Sequence, residues 1–274
     1  MTCKICKHNK LSKLYFLQGY QIWQCDACKF GQVEITPDEL TAFYDKSYFD
    51  GEKARFGQTV EDDVRPSHAY WLETYLKKAG NKRPLHILDI GPGLGVGFGK
   101  YLRKHYPQNH YEAVEISDFA VASIRNRGFT AHLGRASDQH VLDACRGCFD
   151  LVVGTEVIEH DPEPHEFIAA VHTMLKPGGI CAFTTGNLRG LVARRQKASW
   201  YYLDPPAHVS YYTPEAAAIL FREQHFTDLY AWKIGFNYIT LKLNTHVPGI
   251  LTLAHLLSLP TGMSISARKP MIEV

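Results

Sequence analysis

Residues 87–97 read Ile-Leu-Asp-Ile-Gly-Pro-Gly-Leu-Gly-Val-Gly, or ILDIGPGLGVG, and this stretch decides the fold. With Leu85 and His86 before it, the apolar start reads as a buried strand, and GFGKYLRKHY after it reads as a helix. A strand, a glycine-rich turn and a helix make the first unit of a doubly wound sheet, where such folds bind a cofactor. A dinucleotide fingerprint needs G-x-G-x-x-G. Counted from Gly91 the sixth place is Val96, so that pattern fails and the loop reads D-x-G-x-G-x-G from Asp89 through Gly91, Gly93 and Gly95. Glycine lets the backbone come close to a ligand that a Cβ would strike. Glu115 ends the following strand, HYEAVEI, where a carboxylate can accept hydrogen bonds from two ribose hydroxyls.

Outward from the loop the pattern alternates. SDFAVASIRNRG reads as a helix with a serine cap and a glycine stop, TAHLGR and DLVVGT as strands, PEPHEFIAAVHTMLKPGG as a helix and ICAFTTG as a strand. TPEAAAILFREQHF is a further capped helix, TDLYAWKI a strand, and MSISARKP a last strand after the apolar insert at about 245–260. This rhythm predicts an α/β fold, a doubly wound, Rossmann-like parallel sheet with helices on both faces. Before it, Thr36-Pro37-Asp38 reads as a helix start and SHAYWLETYLKKAG as a helix. The expected organisation is a small unit at 1–35, a helical linker or cap at 36–83 and the main domain at 84–274.

The 274 residues carry a formal net charge of +2, which gives no polyelectrolyte signal for nucleic acid or an anionic membrane. MTCKICKHNK has no apolar core and so is no export signal. The most apolar stretch, VPGILTLAHLLSLP, is too short to span a bilayer and reads as a buried or lid helix. A soluble cytoplasmic protein is expected.

Four of the seven cysteines form two knuckles, Cys3-x2-Cys6 and Cys25-x2-Cys28, separated by 18 residues. This spacing matches a structural zinc site, and four thiolates close a tetrahedral shell. The intervening KLYFLQGYQIWQC reads as a hairpin with Gly19 at its turn, so the first 35 residues read as a zinc ribbon. Cys145 and Cys148 form a third close pair without a partner pair and read as a loop; Cys181 reads as core.

ILDIGPGLGVG, EAVEIS, FDLVVGTEVIEH and HTMLKPGG, in this order and spacing, resemble the class I methyltransferases that use S-adenosylmethionine (SAM), over about residues 84–232. The resemblance implies that Gly91, Gly93 and Gly95 flank the amino-acid part of SAM, that Asp89 orients the loop and that Glu115 holds the ribose. It places Ile116, Thr155 and Glu156 beside the cofactor, and Gly134 and Arg135 at the adenine. Family members often carry an acid where this chain has Arg135.

The amino-group methyltransferases of nucleic acids carry Asp-Pro-Pro or Asn-Pro-Pro after the fourth strand, where this chain has Thr155-Glu156. Asp204-Pro205-Pro206 lies beyond the fifth strand and reads as a rigid turn. The layout more closely resembles ubiquinone-pathway O-methyltransferases and bacterial relatives with an N-terminal zinc ribbon, in which a segment like 187–212 lids the acceptor site. That implies a hydroxyl acceptor on a small molecule, glycan or natural product, with Trp200, Tyr201, Tyr202 and Tyr211 near it. The alternatives are an RNA methyltransferase that grips RNA with its ribbon, and a SAM-binding module without catalysis.

An alcohol is a poor nucleophile, so a base or a Lewis acid must take or weaken its proton. The stretch TEVIEH, 155–160, supplies two carboxylates and an imidazole. On a helix Glu156, Glu159 and His160 stand at i, i+3 and i+4 and share a face. His160, His208 and Glu159 are the expected acid/base groups. In resembling small-RNA 2′-O-methyltransferases, and in some ubiquinone-pathway relatives, a Glu-x-x-Glu-His cluster binds a divalent metal. Glu156, Glu159 and His160 match it, with His208 as the later ligand, and Mg2+, Mn2+ or Fe2+ suits that donor set.

Overall fold

The computed structural model describes residues 1–36, 39–40, 43, 64, 66–80, 83–234 and 262–271. The chain opens with β1 (Leu11–Leu17) and β2 (Tyr20–Cys25), an antiparallel hairpin with Leu17 opposite Tyr20. Gln18 and Gly19 both take positive φ, 52° and 87°, as a two-residue primed turn requires. β3 (Gly31–Val33) pairs with β2. Thr36 and Glu39 then form a reciprocal capping box, each backbone N–H donating to the other's side chain, at 2.8 and 3.3 Å. This agrees with the helix start read there.

Helix α1 (Pro66–Ala79) lies within the segment expected as a linker or cap, and it packs on the main sheet. Its Trp71 Nε1 donates to Ser264 Oγ at 2.9 Å, and Tyr75 Oη lies 2.9 Å from the same hydroxyl. The alternating region follows as β4 (His86–Ile90), α2 (Gly97–His105), β5 (His110–Glu115), α3 (Asp118–Asn126), β6 (Thr130–Leu133), α4 (Gln139–Cys145), β7 (Phe149–Thr155), α5 (Pro164–Met174) and β8 (Leu175–Gly186). Then come α6 (Leu191–Gln196), β9 (Ser210–Tyr211), α7 (Pro214–Glu223), β10 (Thr227–Ile234) and β11 (Gly262–Arg268). The expected insert at 245–260 lies outside the described residues.

Seven strands form one sheet in the order β10-β11-β8-β7-β4-β5-β6. β4, β5, β6, β7 and β8 are parallel, and β11 enters antiparallel between β8 and β10. Successive residues alternate between faces. Leu88, Val152, Cys181 and Ile265 pack with α5 and α7, while Ile87, Leu151, Val153 and Ala182 pack with α1, α2 and α3. Cys181 is core, as its apolar run implied.

Two boundaries differ from the sequence reading. The helix expected to run through Lys176-Pro177-Gly178-Gly179 stops at Met174, because Leu175 already pairs with Phe149 at the start of β8. The loop expected at Cys145 is the end of helix α4, whose Cys145 is buried.

The second sheet is the unexpected feature. Its order is β1-β2-β3-β9, so its last strand comes from the segment expected to be a lid. Gly31 pairs with Tyr211 and Gln32 with Ser210, and Val33 N donates to Val209 O at 2.9 Å. Two residues of strand carry no periodicity from which such a pairing could be read.

Candidate functional site

The glycine turn sits at the carboxyl end of β4. Gly91 and Gly93 take φ of 69° and 62°, in the left-handed region that glycine enters without strain. Gly91 N donates to Val114 O at 2.9 Å, and a Cβ on Gly91 would come within 2.6 Å of the Val157 side chain. A Cβ on Gly93 would meet nothing within 4 Å, so the backbone faces open space there. Gly93 N donates to Glu115 Oε2 at 3.0 Å, and Ile116 N donates to Oε1 at 2.8 Å. Burial pushes the Glu115 carboxyl up, opposed by these N–H donors. Asp89 is buried and accepts from Tyr111 Oη at 2.9 Å; burial pushes it up to about 7. Gly95 completes the turn just before α2.

Gly134 follows β6 and donates its N–H to Glu115 O at 2.9 Å. Its φ of 138° is also open to glycine alone. Arg135 N donates to Asp138 Oδ2 at 2.8 Å, and the Arg135 guanidinium reaches within 3.7 Å of Asp161 Oδ1 beyond β7. Arg135 thus spans from one loop of the cleft to the next.

TEVIEH does not form an α-helix. Thr155 ends β7 opposite Thr184, and Glu156 turns with a φ of 53°. This turn drops Val157 onto Gly91 and Gly154, where an added Cβ would come within 2.6 and 2.5 Å of it. Only Ile158–His160 form a turn, of the tighter 3₁₀ kind. The shared helical face for Glu156, Glu159 and His160 is therefore absent. Instead Glu159, His160 and His208 each bring one ligating atom within 4.8 Å of the others, and Glu156 stands outside that set. Dense surroundings and the like charge on Glu159 push Glu156 upward; its side chain reaches solvent, which limits the effect.

Glu159 is fully buried and accepts hydrogen bonds from Thr185 Oγ1, at 2.9 Å, and from Tyr202 Oη. Burial pushes its carboxyl up to about 7, with both hydroxyls opposing. The imidazoles of His160 and His208 lie edge to face, 4.7 Å between centroids. His160 Nδ1 donates to Ala207 O and His208 Nδ1 to Tyr202 O, both at 2.7 Å. A carbonyl partner fixes the tautomer with hydrogen on Nδ1 and leaves Nε2 as an acceptor. Burial lowers the pKa of both rings; for His208, with His160 beside it, the value is about 3.

The other residues expected near the acceptor separate. Tyr202 joins the cluster, its ring 4.4 Å from His208, and buried Trp200 stacks on Tyr202 at 5.1 Å. Tyr211 is buried against the ribbon, its Oη donating to His208 O at 2.7 Å. Tyr201 is 49% exposed. Thr185 was missed from the sequence, although a threonine pair inside the apolar run ICAFTTG signals a buried polar partner. Asp204-Pro205-Pro206 forms a turn, as read, with a cis bond between the prolines.

The four ribbon cysteines converge, each Sγ within 4.8 Å of the others. The two knuckles fold alike. Cys3 N donates to His8 O and Cys25 N donates to Phe30 O, while Lys7 N and Lys29 N donate back to Cys3 O and Cys25 O. Lys7 and Lys29 both take positive φ. Sγ separations of 3.6 Å (Cys3–Cys28) and 3.5 Å (Cys6–Cys25) approach the ~3.8 Å edge of a zinc–thiolate tetrahedron.

The sheet, the glycine turn and the acid at the end of β5 define a class I SAM-dependent methyltransferase fold, and residues 65–231 match the methyltransferase domain family, to which the chain belongs. Among curated proteins it is similar to the ubiquinone biosynthesis O-methyltransferase of Azotobacter vinelandii, 28% identical over 127 residues, covering 46% of this chain and 53% of that protein. The chain thus matches about half the length of these relatives. Among solved structures, a SAM-dependent methyltransferase from Archaeoglobus fulgidus aligns over 82% of this chain and 100% of that one, at 20% identity and a TM-score of 0.54. The phosphoethanolamine N-methyltransferase 2 of Haemonchus contortus, in complex with SAM, aligns over 88% and 62%, at 17% identity and 0.54. These structures share the fold. Among the described residues no helix is long and apolar enough to cross a membrane.

Proposed function

We propose that this chain transfers the methyl group of SAM to a hydroxyl of a small molecule, glycan or natural-product intermediate. The observation that carries this reading is the cluster of buried Glu159 with the half-buried His160 and His208, next to a glycine turn whose backbone faces open space at Gly93. The open turn fits the amino-acid part of SAM, and Glu115 retains lone pairs for ribose hydroxyls. When bound, SAM supplies an electrophilic methyl on a sulfonium. The residues of the chain align the acceptor and manage its proton.

In the metal-free reading His160 accepts the hydroxyl proton, while Glu159, held by Thr185 and Tyr202, keeps the surrounding turn in place. The three converging ligand atoms favour a second reading, in which Glu159, His160 and His208 would hold a divalent cation, and such an ion would lower the pKa of the hydroxyl. The ribbon cysteines fit a structural zinc ion, with no open position for chemistry. The similarity to ubiquinone biosynthesis O-methyltransferases supports oxygen as the acceptor atom.

The test is methyl transfer from labelled SAM to a panel of catechols, sugars and polyketides. A chelator too weak to strip the ribbon separates the two readings. Loss of turnover, restored by magnesium or manganese, selects the cation. Full turnover with the chelator, together with an inactive His160→Ala variant, selects the imidazole base. If SAM binds and no oxygen acceptor is methylated, the O-methyltransferase reading fails.

A further inference from the structure

The loops after β6 and β7 each present a charged group with unspent hydrogen-bonding capacity. Arg135 Nη2 lies 3.7 Å from Asp161 Oδ1, too far for a hydrogen bond, and this buried nitrogen has no hydrogen-bond partner. The other guanidinium nitrogens and Asp161 Oδ2 make no hydrogen bond among the described residues, while the two side chains stay 23% and 13% exposed. Both groups are pinned from behind. Arg135 N donates to Asp138 Oδ2 at 2.8 Å, which also occupies the acid of the same loop. Asp161 Oδ1 accepts from Glu163 N at 2.7 Å, and Asp161 O accepts from Ser210 Oγ at 2.8 Å. A mostly buried guanidinium and carboxylate held just apart cost free energy, unless a ligand brings an acceptor to the first and a donor to the second.

The sheet order says which part of a ligand meets them. β4, β5 and β6 lie side by side. The glycine turn ends β4 and Glu115 ends β5, so a nucleoside cofactor with its ribose on Glu115 extends its base toward the end of β6. There Gly134 N ties the loop to Glu115 O at 2.9 Å, and Arg135 is the next residue. Adenine carries a ring acceptor, N1, beside a donor, the N6 amine. We propose that Arg135 and Asp161 together read this edge, Arg135 donating to N1 and Asp161 Oδ2 accepting from N6, and so select adenine in the cofactor. Two adjacent contacts of opposite sense discriminate between bases in a way that one contact does not. The two residues come from loops after different strands, so the base also joins the β6 loop to the segment that follows Glu159 and His160. This inference rests on the SAM reading and goes beyond it, since SAM binding alone does not require Asp161.

The probes are S-adenosylhomocysteine, the product of methyl transfer, and S-inosylhomocysteine, its deaminated analogue, each titrated calorimetrically into the full chain. Hypoxanthine has a carbonyl in place of the amine and a hydrogen on N1, so both contacts are reversed. The wild type should bind the adenine compound at least about tenfold more tightly. Asp161→Asn, whose amide can donate to the carbonyl, should bring the preference to within about twofold, mainly by weakening the adenine compound about tenfold. Arg135→Gln should narrow the preference as well. Asp143→Asn, on the exposed side of α4, should leave both affinities unchanged. A purely structural role for the pair would weaken both compounds equally in the variants and leave the ratio alone; that outcome overturns the proposal. A wild type that binds both compounds equally also overturns it, while retaining the SAM reading. So does an Asp161→Asn variant that keeps the full preference. A wild type that binds neither compound removes the SAM reading, and the proposal with it.

Discussion

Thr213 caps helix α7 and holds the second cysteine knuckle with the same hydroxyl: Oγ1 accepts from Ala216 N at 3.1 Å and donates to Cys28 O at 2.8 Å. One side chain thus fixes the ribbon to the start of helix α7, just after β9. The join is wide. Lys4 Nζ donates to Pro162 O at 2.8 Å, His165 Nε2 to Ile5 O at 2.9 Å, and Phe30 packs edge-on to Tyr212 at 5.2 Å. A ribbon joined in this way holds β9 and, through Val209 and His208, the candidate site.

Zinc removal should therefore disturb a region that the ion never touches. Cys25→Ser/Cys28→Ser should lose about one zinc per chain. Amide exchange should rise across Val209–Thr213 as well as in the ribbon. SAM affinity should hold, since the glycine turn rests on β4 and β5, while turnover should fall. Elemental analysis and exchange mass spectrometry read the two effects. Metal-free wild type with a protected N-terminus would rule out the structural zinc; unchanged exchange at Val209–Thr213 would show that the ribbon does not position the segment.

Gly93→Val should abolish SAM binding with the fold intact. The position has a φ of 62°, which valine strongly disfavours, and the added branches would project into space that the ligand needs. Calorimetry gives the affinity and near-ultraviolet circular dichroism the packing. Unchanged affinity would remove the glycine turn from the cofactor site.

The glycine turn and the strands around it were legible because their signals are local. A β-strand followed by glycines that require positive φ has few other readings, and the caps at Ser117 and Thr213 are where the sequence placed them. The placement of Glu159 was not legible. It depends on a left-handed Glu156 and on Val157 packing over Gly154 and Gly91, contacts that bring together two separate strand ends. Strand β9 was hidden for the same reason. Its partner lies 180 residues earlier, and pairing of Gly31 with Tyr211 is a tertiary event that no local periodicity records.

Tyr202→Phe should separate structure from chemistry at the buried carboxylate. The change keeps the ring that stacks on Trp200 but removes one of the two hydroxyl donors to Glu159. A buried acceptor that loses a donor costs about 1–3 kcal/mol, which urea denaturation resolves. Turnover should fall while SAM affinity stays within about threefold, since Tyr202 contacts Glu159 and His208 and not the glycine turn. An equally stable and equally active variant would show that this hydrogen bond supports neither.

Acid should weaken the opposite end of the sheet through Asp150. This buried carboxylate accepts from Arg83 Nη2 at 2.7 Å, His86 N at 2.9 Å and Lys176 Nζ at 2.9 Å, tying β4, β7 and the start of β8 together. Burial pushes its pKa up, but the three donors outweigh burial and hold it down at about 2. A carboxyl whose folded pKa lies below its unfolded value of about 3.9 binds fewer protons in the native state. It stabilises the fold above about pH 4, and that contribution disappears as the pH falls through about 2. Arg83 and Lys176 are partly solvated, so the contribution is smaller than for a dry ion pair. Asp150→Asn should cost about 1–3 kcal/mol in urea denaturation near neutral pH. The gap between the variant and wild type should close as the pH falls from about 4 toward 2, where Asp150 itself becomes neutral. A gap that stays constant over that range would show that the charge of Asp150 does not hold these strands together.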